Sequence, residues 1–218
     1  MHRTLPTFVL SAIVICGVMG SAQESFGQSQ PVNVSVFSDV PIPEQVLELA
    51  EQGASQIFSS AGVVVVWINC VHGPGTTPDQ VCSRPYGPRD LVLRITSHVS
   101  SATSDAAFGV AWLDADGSGR YADVFWTRAQ ELRTNSDADL GRILGSVMAH
   151  EVGHLLLGAN SHSMTGLMQA RWRGGELHRV AMGSLLFSPE QGERMRAHLS
   201  SAGIALVSAR NGQPEIKP

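Results

Sequence analysis

Cysteine is scarce in this chain, with three in 218 residues at positions 16, 70 and 82. No close Cys-x-x-Cys pair exists among them, which argues against a structural zinc site built on thiolates. A basic excess is also lacking: 15 Lys and Arg stand against 19 Asp and Glu, for a net charge of -4 and a pI near 6.0. That balance speaks against nucleic acid or an anionic membrane surface as partner. The apolar run Phe8–Met19 is too short for a comfortable membrane span. No internal repeat or low-complexity tract occurs.

What is present is the composition of an ordinary globular protein, 43% hydrophobic and 16% charged, at a length that suits one domain with a real core. His2 and Arg3, the apolar run and the small residues Gly20, Ser21 and Ala22 read as a signal peptide over 1–22. An uncleaved anchor is the alternative reading. A polar lead-in over 23–31, one folded domain over 32–210 and a tail over 211–218 complete the expected organisation. Export implies a secreted or periplasmic protein with no stable membrane insertion after cleavage, and a monomer is expected. In that oxidising compartment the two remaining cysteines, Cys70 and Cys82, are expected to pair.

Val32, Val34 and Val36 alternate with polar residues as a half-buried strand, and a helix is predicted from about Pro43 to Ser60, ended by Gly62. Val63 to Ile68 is a continuous apolar run, as expected for a strand covered on both faces beside a parallel neighbour. Pro and Gly crowd a surface loop over 73–88. Leu91, Leu93 and Ile95 alternate in a third strand. Two further strands, Phe108 to Leu113 and Tyr121 to Trp126, flank the acidic stretch 114–119, which reads as a hairpin turn and lacks the twelfth-position glutamate of a calcium loop.

A second long helix is predicted from an N-cap at Ser136, with Asp139 approximating a capping box, to Leu157. On its wheel Leu140, Ile143, Leu144, Val147 and Leu155 face the core, while Gly141, Arg142, Gly145, Ser146 and Gly153 form the other side. His150, Glu151 and His154 fall inside the apolar stripe. Burying such groups is costly unless they are paired or bind a metal. Residues four apart stack on a helix, so the imidazoles of His150 and His154 can converge on one ion with Glu151 beside it. This is the His-Glu-x-x-His pattern, in which two histidines bind Zn2+ and the glutamate takes a proton from the activated water. Past the helix-ending Gly158, His162 is near enough to return as third ligand; Glu176 is the alternative.

His150-Glu151-Val152-Gly153-His154, Gly158, His162-Ser163 and Gly166-Leu167-Met168 together resemble the metzincin metallopeptidases, the matrixin-like ones in particular, over about thirty residues. The resemblance departs from the family in the length of one connection: the family's glycine falls three residues after the second histidine, whereas Gly158 falls four after His154. The family's third histidine falls six residues after the second, where this chain has Asn160, and His162 lies two residues further on. What the resemblance implies is an α+β, zincin-like fold. It has a mixed, mostly parallel five-stranded sheet with one antiparallel edge strand, an active-site helix and a C-terminal helix opened by Ser188 and Gln191. Met168 is expected in a turn under the metal, and Gly109, Val110 and Ala111 on the edge strand that pairs with a protein or peptide substrate. The implied activity is endopeptidase, with Glu151 as general base. An inactive, zinc-stabilised extracellular binding module is the alternative. The remaining histidines, 72, 98, 178 and 198, show no ligand spacing. Trp172 and Arg171 either line a specificity pocket or, for the tryptophan, pack in the core.

Overall fold

A computed structural model describes residues 30–71, 80–97 and 107–211, with side chains described as far as 201. The expected signal peptide, most of the lead-in, nearly all of the tail, His72 and His98 lie outside the described residues. β1 (Val32–Ser38) sends Val32, Val34 and Val36 into the core, each at most 1% exposed. α1 (Glu44–Ser60) follows and ends before Gly62, whose φ of 72° is a conformation that glycine adopts without strain. β2 (Val65–Asn69) pairs parallel to β1, which also pairs parallel to β3 (Asp90–Thr96). β4 (Gly109–Leu113) and β5 (Gly119–Phe125) form a hairpin, with β5 parallel to β3 and β4 antiparallel at the border. The order β2-β1-β3-β5-β4 is the expected mostly parallel sheet with one antiparallel edge.

One expectation fails at β2, while the expected parallel neighbour is present in β1. The strand is the opposite edge of the sheet, and Val64 and Val66 are 54% and 43% exposed, so it is not covered on both faces. Its β-branched run satisfies strand propensity without marking burial. The turn after β4 closes as a hairpin: Asp114 N–H donates to the Ser118 carbonyl, and Gly117, at φ 82°, donates to Asp114. Cys70 and Cys82 are joined in a disulfide.

Beyond β5 the chain turns directly into α2 (Trp126–Thr134), a helix that the strand reading of Tyr121 to Trp126 did not contain. Trp126, Ala129 and Leu132 recur at three-residue spacing and bury one face. α3 (Leu140–Leu157) begins later than expected. Its cap is Asp139, whose Oδ1 accepts from Gly141 N–H at 2.7 Å, while the Ser136 hydroxyl donates back to Leu132 and closes α2 instead. An anionic cap is also favoured by the helix dipole.

The side of α3 marked by glycines does not face solvent. A Cβ on Gly145 would meet the backbone of Ala50, and one on Gly141 would stand 2.6 Å from Leu49 Cβ. These glycines let α1 lie close against α3, so α3 is buried nearly all round and the core fills the space between the helices and one face of the sheet. α4 (Gly174–Ala181) is another helix that the periodicity did not predict. α5 (Pro189–Asn211) starts as expected: Gln191 N–H donates to Ser188 Oγ, and Ser188 N–H donates to Gln191 Oε1.

Candidate metal centre

His150 and His154 lie one turn apart on α3, and four-residue helical spacing brings their Nε2 atoms to 3.1 Å. The chain leaves α3 through Gly158 at φ 79°, passes Asn160 at φ 56°, and returns His162 to the pair. Ligand atoms of His150, His154 and His162 all lie within 4.8 Å of one another. The His162 ring centroid is 4.7 Å from that of His154 and 5.6 Å from that of His150. Two nitrogens bound tetrahedrally to one zinc ion at about 2.1 Å each would stand about 3.4 Å apart, so the observed spacing suits such an ion.

The remaining ring nitrogens are held from behind. His150 Nδ1 is 2.8 Å from the Leu167 carbonyl oxygen, which can only accept, so Nδ1 carries the proton and Nε2 offers its lone pair. Trp172 Nε1–H donates to the same carbonyl at 3.1 Å. His154 Nδ1 is 2.7 Å from the hydroxyl of buried Ser161. Phe108 packs edge-on to His150 and lies against the Trp172 ring, with centroids 5.1 and 4.3 Å away. Trp172, 5% exposed, thus belongs to the packing behind the site.

Electrostatics favour the ligating form of all three histidines. Burial, then the neighbouring His154, pushes the His150 pKa down to about 3 despite its carbonyl contact. Burial and His162 push His154 to about 4, and burial lowers His162 as well. Neutral imidazole is the form that binds metal. Glu151 is 3% exposed, and burial, followed by the charge of Asp123, lifts its pKa to about 8 in the metal-free chain. Asp123 itself is clasped by Arg94 at 2.9 and 3.1 Å.

The histidines and Glu151 line a cleft of about 380 Å³, with Gly109, Val110 and Ala111 of β4 along it and Ala170 and Arg171 also contributing. β4 approaches so closely that a Cβ on Gly109 would meet the Asp123 carbonyl and stand 2.8 Å from Glu151 Cγ. Met168 is fully buried in a turn closed by Gln169 N–H donating to Gly166, and its Sδ would be 2.9 Å from a Cβ on Gly153, within the helical turn that carries both histidines.

Glu176 is not brought to this cluster. Its Oε2 accepts from Arg173 N–H at the start of α4 and its Oε1 accepts from Arg179, so both oxygens are used in the helix itself. The sequence reading missed Ser161 and the Leu167 carbonyl. Neither carries a sequence signal of its own, because a lone serine and a backbone carbonyl acquire their roles only through the path of the returning chain.

No protein-family model and no curated protein matches the chain. Solved structures do. A zinc-dependent peptidase from Methanocorpusculum labreanum strain Z superposes with a TM-score of 0.51 at 17% identity, over 74% of this chain and 99% of that one. An archaemetzincin from Methanopyrus kandleri gives a TM-score of 0.48 at 20% identity, over 78% and 96%. The fold of this chain is that of the first of these peptidases.

Proposed function

We propose that this chain is a secreted zinc-dependent endopeptidase of the metzincin type, with His150, His154 and His162 as metal ligands and Glu151 as general base. The observation that carries the reading is the convergence of three neutral imidazoles on one point inside a cleft that also holds a buried carboxyl group. The peptidase whose fold it shares supports the choice of an amide bond as substrate. The disulfide supports an oxidising compartment, and no helix among the described residues is long and apolar enough to cross a membrane.

Bound zinc would supply a Lewis acid that acidifies water and polarises a carbonyl. Glu151 takes the proton at its carboxylate and passes it to the leaving amine. The Leu167 carbonyl and Ser161 fix the two helix-borne rings so that their free nitrogens point to a common centre. The outer edge of β4, unpaired among the described residues, offers backbone groups along Gly109, Val110 and Ala111 to an extended peptide, and Met168 forms the apolar support of the helix turn beneath.

The test is metal analysis of the purified protein together with cleavage of a peptide library with and without chelator. Glu151→Gln should keep one zinc per chain and lose hydrolysis by at least about a thousandfold. Zinc without chelator-sensitive cleavage in the unsubstituted protein would favour a metal-stabilised binding module and overturn the peptidase reading.

A further inference from the structure

Arg171 is exposed at the cleft, and the residues on either side of it are anchored. Trp172 is buried and hydrogen-bonded to Leu167, and Gln169 is tied both to Gly166 through its backbone and to Met164 through its side chain at 2.6 Å. No ion pair or hydrogen bond occupies the Arg171 guanidinium among the described residues. Apart from the three histidines and Glu151, the rest of the described cleft wall consists of Ala107, Phe108, Gly109, Val110, Ala111, Leu113 and Ala170, all apolar. Among the described residues the one acidic group lining the cleft is Glu151, and it makes no ion pair with Arg171.

Among the described residues the cleft, in a chain of net charge -4, therefore presents a cation without an ion pair beside a largely apolar wall. Field lines concentrate in such a concavity, and a planar guanidinium with five donors matches a carboxylate in bidentate fashion. We infer that Arg171 is a specificity residue that selects peptides bearing a carboxylate near the scissile bond. The inference rests on the peptidase reading for its substrate class and stands on Arg171 alone for its charge preference. A carboxylate can come from an Asp or Glu side chain or from a free peptide C-terminus, and the two sources are separable.

The experiment uses quenched fluorescent peptides with capped ends that differ at one position beside the cleavage point, Glu, Gln or Lys, and a further Gln peptide with a free C-terminal carboxylate. The expected kcat/KM is about tenfold higher for Glu than for Gln, with Lys below both, the ratio that a charge-assisted contact gives. Arg171→Ala should collapse the Glu-to-Gln ratio to about one, Arg171→Lys should keep part of it, and Arg171→Glu should place Lys first. Preference for the free-terminus peptide over its capped twin assigns the contact to the main-chain carboxylate instead of the side chain. Equal ratios in the unsubstituted and Arg171→Ala proteins would overturn the inference while leaving the peptidase reading intact. If no peptide is cleaved, the peptidase reading fails, and fluorescence anisotropy of the labelled Glu and Gln peptides on metal-free protein decides the inference separately. Tighter Glu binding that Arg171→Ala abolishes upholds it, and equal binding sinks it.

Discussion

Ser161 shows how a residue outside any motif can govern a site. Its hydroxyl holds His154 Nδ1, so Ser161→Ala should free the ring to rotate and weaken zinc binding by about 10- to 100-fold, measured by competition with a calibrated chelator. An unchanged affinity would mean that the hydroxyl does not orient the ring. Glu51 on α1 offers a test of charge burial away from the site. Burial, then repulsion from Glu48, raises its pKa to about 7, and nothing among the described residues hydrogen-bonds its Oε1. Because the folded value is raised, the stability from the protonated form is complete below about pH 4.5 and is lost as pH rises through 7. Glu51→Gln should match the parent at pH 4 and exceed it at pH 8 by about 1 kcal/mol, a gain that solvent screening keeps small at a half-buried group. Urea melts at the two pH values check the sign.

The long helix α3 is held by contacts that its own sequence pattern conceals. An apolar stripe was legible, but the glycine side looked polar because small residues carry no hydrophobic signal; packed against α1, their lack of a side chain is what allows the contact. Gly145→Val would drive a side chain into the backbone of Ala50 and should destabilise the fold by about 2–4 kcal/mol. Thermal unfolding of the metal-free variant reads this, and a melting temperature within a degree or two of the parent would contradict the packing. The starts of α3 and α5 differ in the same way. Ser188 and Gln191 are a reciprocal local pair and were readable, whereas the choice of Asp139 over Ser136 depended on α2, which takes Ser136 for its own end.

For the molecule as a whole, two covalent or ionic closures are expected to carry stability in addition to the core. The Cys70–Cys82 bridge spans 12 residues, and on loop entropy its reduction should cost about 3 kcal/mol, visible as a lower urea midpoint in reductant. Zinc held by the three histidines would bind only the folded chain, so chelation should lower the midpoint further, by about 4 kcal/mol for zinc at a thousand times its dissociation constant. A midpoint that ignores chelator would argue against a metal held at this cluster.

The sequence by itself determined what short-range geometry controls. His150 and His154 had to share a helix face because they are four apart, Gly158 had to end that helix, and alternating valines had to make β1 half-buried. Only the tertiary structure decided which distant group joins the pair. His162 arrives because the chain beyond Gly158 passes through left-handed Asn160 and tucks Ser161 behind His154, while Glu176 is spent on its own helix start. The same holds for β2, whose place at the border of the sheet follows from strand order and not from its apolar content. Local spacing fixes neighbours within a few residues, whereas contacts across tens of residues depend on how separately formed elements pack.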